Sequence, residues 1–224
     1  MTGRLAQGRT LLSPMKKENI QNIIFDLGDV ILNIDIPLTF QAFAELSGLS
    51  IAELGKIFNE NEIFRKFETG KLSEPQFRQL VRDILEMPHL TDLEIDNAWN
   101  TLLLDIPPAR IELLHKLAQK YRLFLLSNTS SIHIRRVNEI IREVSGIAQL
   151  NHLFEKVFLS YELGYMKPDH DIYRKVLEMA DIIPEQTLFL DDNLANTNAA
   201  KELGIKVIHV QKPSTIIEYL TPYV

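Results

Sequence analysis

The chain of 224 residues is long enough for one large domain or for a core domain with a smaller insertion. Its 46% hydrophobic and 24% charged residues are ordinary for a globular protein, and its net charge of −6 argues against a nucleic-acid or anionic-membrane partner. The absence of cysteine excludes disulfides, thiolate nucleophiles and thiolate zinc sites, and it fits a reducing compartment, which we expect to be the cytoplasm.

Positions 1–14 carry too few apolar residues for a secretory leader, and we expect residues 1–21 to form a flexible N-terminal tail. No apolar run approaches the ~18–20 residues that span a bilayer. Strand-like apolar runs recur at 22–27, 122–127, 156–160, 187–191 and 205–210. Most are continuous, as is typical of strands covered on both faces, and helical patterns separate them. The sequence therefore predicts a doubly wound parallel sheet of the α/β class.

One long segment, 37–105, interrupts this alternation of strands and helices. It contains no strand-like run, and its helical patterns lie at 39–46, 51–59, 61–68, 74–85 and 91–104. We interpret the segment as a helical bundle inserted after the first strand, over the carboxyl end of that strand. The core domain would then comprise residues 22–36 and 106–224.

The first strand-like run ends in a carboxylate, Asp26, which Gly28 follows two residues later. A carboxylate at the carboxyl end of a parallel strand can act as a covalent nucleophile toward phosphorus. Gly28 permits a tight backbone turn, and its carbonyl could face a metal ion. The alternative is that Asp26 is a turn or helix-cap residue, which is the more common role of such an aspartate.

The run at 187–191 ends in two adjacent carboxylates, Asp191 and Asp192. Because adjacent carboxylates repel one another, a cation beside them would favour their ionised forms. Magnesium prefers one or two protein carboxylates together with water and substrate phosphate. The alternative is that Asp192 or Asn193 caps the next helix.

Two further groups follow at the same edge of the predicted sheet. Ser127 and Asn128 end a buried strand and precede a helix, where hydroxyl and amide groups suit a phosphate oxygen. Lys167 lies before Pro168 at another helix start and could neutralise a phosphoryl group. Helix capping and an exposed surface lysine are the respective alternatives. Together, a nucleophile, a hydroxyl, a lysine and metal carboxylates predict metal-assisted phosphoryl transfer.

These motifs resemble the haloacid dehalogenase superfamily of phosphatases, most closely the members that carry a helical cap after the first strand. The resemblance spans residues 22 to about 221. It rests on the residues at 25–30, at 126–128, at 167–168 and at 189–192, with Asn196 four positions further on.

The resemblance implies a phosphoric monoester hydrolase with Mg²⁺ as cofactor and a small phosphomonoester, such as a sugar phosphate, as substrate. It implies that Asp26 is both the nucleophile and a metal ligand. Further metal ligands would be the Gly28 carbonyl and Asp192, with Asp191 and Asn196 acting around them. The transferring phosphoryl group would be held by Ser127, Asn128 and Lys167.

The chain departs from the superfamily at one position. Phosphatases of this superfamily usually carry a second aspartate two residues after the nucleophile, as the general acid–base, and here that position is Gly28. Asp29 is the nearest replacement, but neighbouring residues of an extended chain point to opposite sides, so we expect it to face away from the phosphoryl group. Some capped members that resemble sugar-phosphate phosphatases also have glycine there.

Three other functions remain open. A hydrolytic dehalogenase also lacks the second aspartate, but it would leave Asp191 and Asp192 without a cation. A receiver-like signalling domain combines similar groups, but in a different order and in a shorter chain. A degenerate phosphatase would bind a phosphorylated ligand without turnover. The insertion should line the substrate pocket, and its candidate substrate contacts are Phe64, Arg65, Phe67 and Glu68.

Overall fold

The computed structural model describes residues 19–224, and its centre is one parallel β-sheet. The strands are β1 (Asn22–Phe25), β2 (Arg122–Ser127), β3 (Lys156–Leu159), β4 (Thr187–Asp191) and β5 (Lys206–His209). Their order is β3-β2-β1-β4-β5, and every neighbouring pair is parallel. The predicted doubly wound α/β fold is confirmed, and strand ends differ from the predicted ones by at most two residues.

Between β1 and β2 the chain folds into helices. They are α1 (Ile36–Ser47), α2 (Ile51–Glu60), α3 (Ile63–Glu68), α4 (Glu74–Ile84) and α5 (Asp92–Asn100). Reciprocal capping boxes start α2, where Ser50 pairs with Glu53, and α5, where Thr91 pairs with Glu94. The inward faces of these helices form a hydrophobic cluster around the buried Trp99, to which Ile132 of the later chain also belongs. We call α1–α5 the helical insertion.

Two short segments connect the helical insertion to the core. The backbone at 33–35 runs antiparallel to that at 102–105, with N–H···O=C bonds from Asp35 to Leu102 and from Leu104 to Asn33 at 2.9 and 3.0 Å. The predicted helix 91–104 is therefore too long, since α5 ends at Asn100. An apolar period cannot distinguish a last helical turn from an adjoining extended segment that also buries leucines.

The second half of the chain covers both faces of the sheet with helices. They are α6 (Pro108–Leu117), α7 (Ser131–Ser145), α8 (Ser160–Leu163), α9 (His170–Ala180), α10 (Leu194–Glu202) and α11 (Ile216–Leu220). Ile23 and Phe25 belong to the cluster that includes side chains of α6, α7 and α11. Ile24, which points the other way, belongs to the cluster with α9 and α10. Burial on both faces explains the continuous apolar runs of the central strands.

The predicted N-terminal tail ends two residues too late. Ile20 is buried in the core, and the backbone of Gln21 bonds to Gln186 and Arg122, both at 2.9 Å. Residues 1–18 lie outside the described residues. The division into a core domain (22–36 and 106–224) and a cap (37–105) stays a prediction. Among the described helices, we find none that is long and apolar enough to cross a bilayer.

Candidate active site

Three adjacent strands bring polar side chains to one edge of the sheet. Asp26 follows β1, while Ser127 and Asp191 are the last residues of β2 and β4. Because β1 lies between β2 and β4, these three side chains share the carboxyl edge at the point where the strand order reverses. Ligand sites of open α/β sheets lie at such a point.

Lys167 lies at the centre of this edge. Its ammonium Nζ is 2.7 Å from Asp26 Oδ1 and 2.6 Å from Asp191 Oδ2, and it also donates to the Leu126 carbonyl at 3.0 Å. The residue is 3% exposed, so the alternative of a surface lysine is wrong. A buried ammonium with three acceptors is fully satisfied and fixes both carboxylates in place.

Charges in this cluster perturb one another strongly. Burial raises the pKa of Asp26, the Lys167 ammonium opposes that rise, and the charge of Asp191 adds to it. Burial alone would lower the pKa of Lys167, but Asp26 and Asp191 outweigh it and raise that pKa, so the lysine stays protonated. One lysine thus faces two buried carboxylates, with Asp192 adjacent.

The acidic pair divides into one enclosed and one open carboxylate. Asp191 is fully buried and accepts hydrogen bonds from Lys167, from the Asn193 N–H at 2.8 Å and from Asn196 Nδ2 at 3.0 Å. Asp192 is partly exposed. The N-cap of α10 is Asn193, whose Oδ1 accepts from the Ala195 N–H at 2.9 Å. Asp192 is therefore not the cap.

These carboxylates fit a divalent cation. One oxygen from each of Asp26, Asp191 and Asp192 lies within 4.8 Å of the others. Because Asp191 already accepts several hydrogen bonds, Asp26 and Asp192 have the greater freedom to bind a cation directly. Hard oxygen donors with excess negative charge suit Mg²⁺.

The loop after β2 has two different tasks. The Asn128 side chain holds the backbone of Lys167, accepting from its N–H at 2.8 Å and donating to its carbonyl at 2.9 Å. Within residues 19–224, the Ser127 hydroxyl makes one long hydrogen bond, 3.5 Å, to the Asn128 carbonyl. The cap of α7 is Ser130, which accepts from the His133 N–H, so helix capping does not account for Ser127 and Asn128.

The turn after Asp26 differs from the extended chain that the sequence analysis assumed at Asp29. Asp29 does not continue an extended chain, because its φ is +52°, in the left-handed region. Its Oδ1 lies 3.3 Å from the Ile34 N–H and 2.9 Å from Lys212 Nζ. Gly28 has no positive φ, and a Cβ there would lie 2.8 Å from Cδ1 at the end of the Ile34 side chain, which would have to shift.

A cavity of about 380 Å³ opens between this edge and the helical insertion. Most of its wall is apolar. Its lining residues are Leu27, Gly28, Leu32, Ile34, Ile36, Phe40, Phe64, Glu68, Leu102, Leu103, Ser127, Asn128, Thr129 and His133.

Of the four insertion residues proposed as substrate contacts, two line this cavity, Phe64 and Glu68. Phe67 is 2% exposed and stacks on Phe77 with ring centroids 4.1 Å apart, inside the cluster of the insertion. Arg65 points to another cleft and pairs with Asp169 of the core at 3.2 Å.

His133 is a cavity residue that the sequence analysis missed. Its Nε2 lies 3.0 Å from the Trp99 carbonyl, and its ring stacks on Trp99 with a centroid distance of 5.0 Å. Burial lowers the pKa of His133 to about 4, so the imidazole is neutral. A histidine three residues into a helix that follows a polar loop was the available signal, but such a residue is more often a core histidine.

Comparison with protein families agrees with this geometry. A model of the haloacid dehalogenase-like hydrolases matches residues 20–204. The chain belongs to this family. The predicted resemblance to haloacid dehalogenase-like enzymes is confirmed, and with it the prediction that the protein is a hydrolase.

Individual proteins are similar along most of the chain. A D-ribitol-5-phosphate phosphatase of Bacteroides thetaiotaomicron is 33% identical, over 90% of this chain and 97% of its own. A sesquiterpene phosphatase of Aspergillus oryzae is 27% identical, over 84% and 88% respectively. A crystal structure of a Bacteroides thetaiotaomicron family enzyme with magnesium and inorganic phosphate superposes with a TM-score of 0.81, at 33% identity over 89% of this chain and 98% of its own.

Proposed function

We propose that the protein is a Mg²⁺-dependent phosphatase that hydrolyses a small phosphomonoester through an aspartyl phosphate on Asp26. The observation that carries this proposal is the cluster at the sheet edge, where Lys167 joins the Asp26 and Asp191 carboxylates at 2.7 and 2.6 Å. Two similar phosphatases, and a similar enzyme whose crystal structure holds magnesium and inorganic phosphate, support it.

Asp26 and Asp192, with the Gly28 carbonyl, would hold the cation, and Asp191 and Asn196 would support them. When bound, Mg²⁺ would neutralise charge on the phosphoryl oxygens. The cluster of three carboxylates around one lysine supports this assignment, because it leaves negative charge that a cation would balance.

The residues of the chain would act in two displacements. A carboxylate oxygen of Asp26 attacks phosphorus while the bond from phosphorus to the ester oxygen breaks, and the alcohol leaves with a proton. A water then attacks the phosphorus of the aspartyl phosphate, which releases inorganic phosphate and restores Asp26. Lys167, the Ser127 hydroxyl and the remaining N–H groups of Asn128 would hold the phosphoryl oxygens throughout.

A sugar phosphate is the first candidate substrate, supported by the relative that acts on D-ribitol 5-phosphate. A phosphate ester of an apolar alcohol is a second candidate. The leucine, isoleucine and phenylalanine side chains of the cavity wall favour it, and the sesquiterpene phosphatase agrees with it. A polyol would leave hydroxyl groups without partners against such a wall.

The other functions have less support. A dehalogenase would not need the cation that the carboxylates fit, and a receiver-like domain would not need the cavity under the helical insertion. A degenerate phosphatase differs from the proposal only in turnover. We further propose a cytoplasmic location and no nucleic-acid partner, supported by the cysteine-free sequence and its net charge of −6.

The test is phosphate release from D-ribitol 5-phosphate and from prenyl and alkyl phosphates, with magnesium or with excess chelator. We expect release only with magnesium, and its loss in Asp26→Asn, because an amide is neither a nucleophile nor an anionic ligand. Asp83→Asn, the same change at an exposed position of α4, should leave the rate unchanged. Full release by Asp26→Asn, or in chelator, would refute the mechanism.

A further inference from the structure

The two displacements need a group that gives and takes protons, and the loop after Asp26 does not offer one. Gly28 has no side chain, and a Cβ there would meet Ile34. The Asp29 carboxylate is held in other contacts, with Lys212 Nζ at 2.9 Å and with the Ile34 N–H at 3.3 Å. The proton donor must therefore come from another part of the cavity wall or from solvent.

Among the lining residues, two side chains can exchange protons near neutral pH, Glu68 of α3 and His133 of α7. The Nε2 of His133 donates to the Trp99 carbonyl, and burial lowers the pKa of His133 to about 4. A neutral imidazole whose N–H is already bound is a poor proton donor for a leaving alcohol. Glu68 is the remaining candidate.

The position of Glu68 is unfavourable for the fold. Within residues 19–224 we find no hydrogen bond or ion pair to its carboxylate, although the residue is partly buried beside Phe64 and the leucines of the cavity wall. It is also the last residue of α3, where the helix carbonyls disfavour a negative charge. A carboxylate without a protein partner in such apolar surroundings carries a desolvation cost, and a role in the reaction would explain its place there.

Glu68 also lies within electrostatic reach of the nucleophile. Burial, and then the negative charge of Asp26, raise the pKa of Glu68 to about 7. A carboxyl group with that property can be protonated when the alcohol leaves and ionised when water attacks.

We propose that Glu68 is the general acid–base of this enzyme, supplied by the helical insertion in place of the side chain missing at Gly28. The inference rests on the proposed phosphatase function. In the first displacement the Glu68 proton moves to the ester oxygen as its bond to phosphorus breaks and the Asp26 oxygen bonds to phosphorus. In the second, Glu68 takes a proton from the attacking water as the bond between Asp26 and phosphorus breaks, which restores the protonated carboxyl group.

Glu68→Gln separates the two displacements when the leaving group is varied. With p-nitrophenyl phosphate, whose leaving phenolate needs little protonation, we expect a rapid burst of about one nitrophenolate per site, followed by turnover ~10²–10⁴-fold below the wild type. Acid-quenched protein should carry a phosphoryl group on Asp26. With n-butyl phosphate, whose alkoxide needs the proton, both the burst and the turnover should be lost.

Two controls distinguish a catalytic effect of Glu68→Gln from a loss of folding. Glu62→Gln, the same change at the exposed N-terminal side of α3, should behave as the wild type. The melting temperature of Glu68→Gln should be unchanged or raised, because the variant removes an unpartnered carboxylate.

Wild-type turnover of both esters by Glu68→Gln would overturn the proposal, as would equal losses with both esters and no trapped phosphoenzyme. A trapped phosphoenzyme in Asp29→Asn but not in Glu68→Gln would assign the role to Asp29. A wild-type protein without Asp26-dependent phosphate release from either ester would refute the phosphatase itself, and the role of Glu68 with it. Intact wild-type release with an unaffected Glu68→Gln variant refutes only the role of Glu68.

Discussion

Replacing Lys167 by alanine tests the buried charge cluster without any substrate. The substitution removes the ammonium that joins Asp26 and Asp191, which leaves two buried carboxylates without a counter-charge. Removing one partner of a buried ion pair costs about 3–5 kcal/mol. We therefore expect Lys167→Ala to lower the free energy of unfolding by that amount at pH 8 in chelator.

The size of this loss should depend on pH. At pH 8, protonating a carboxyl group with an ordinary pKa costs roughly 5–6 kcal/mol. Protonation would therefore cost the variant as much as keeping the unpaired charge buried. At pH 5 the same protonation costs only about 1–2 kcal/mol. Without the ammonium that opposes it, burial raises the pKa of Asp26 further in the folded variant, so the stability of the variant should increase relative to the wild type as the pH falls.

Urea unfolding at pH 8 and pH 5, followed by circular dichroism, measures both effects. Lys120→Ala, at an exposed lysine, is the matched control and should change stability by less than about 0.5 kcal/mol. The double variant Lys167→Ala/Asp191→Asn should recover part of the loss, because it removes one unpaired charge. A Lys167→Ala variant that is as stable as the wild type at pH 8 would show that the ammonium does not compensate these carboxylates.

Two further predictions concern His133 and the two phenylalanines of α3, Phe64 and Phe67. Burial lowers the pKa of His133 from 6.5 to about 4, so between these values the unfolded chain binds a proton that the folded state does not. Between pH 7 and pH 4 the free energy of unfolding of the wild type should therefore fall by roughly 2–3 kcal/mol more than that of His133→Gln. Urea unfolding at each pH measures this difference. Equal losses in both proteins would contradict the burial of a neutral imidazole. Phe67→Ala should cost about 3–5 kcal/mol of stability, because its ring is buried against Phe77, whereas Phe64→Ala should mainly raise KM, because its ring lines the cavity. Steady-state kinetics and thermal melts check both, and an unchanged KM in Phe64→Ala would argue against substrate contact there.

Much of the fold could be predicted from local sequence signals. Continuous apolar runs locate the strands, because strands buried on both faces need apolar side chains at every position. Capping residues such as Ser50 and Thr91 locate helix starts within a residue, because their side chains bond to backbone groups three positions away. The end of α5 was not predictable in this way, since only contact with the segment 33–35 makes residues 102–105 extended.

The sequence by itself also determined the chemical composition of the candidate site. The carboxyl ends of parallel strands share one edge of the sheet, so the sequence predicts an acidic residue and an acidic pair at that edge. That they lie close together follows from β1 and β4 being neighbours in the sheet. Their roles at the site still stand as predictions. The resemblance to haloacid dehalogenase-like enzymes rests on these same short segments, which are contiguous in the chain.

Only the tertiary structure decided how each group is used. Lys167 is buried between two carboxylates, and Asn128 holds its backbone, through contacts with residues that lie far from it in the chain. Glu68 and His133 face one cavity although they come from α3 and α7, and Phe67, one residue before Glu68, faces the core of the insertion instead. No periodicity in the sequence encodes these choices, because they depend on the angle at which the helical insertion closes over the sheet.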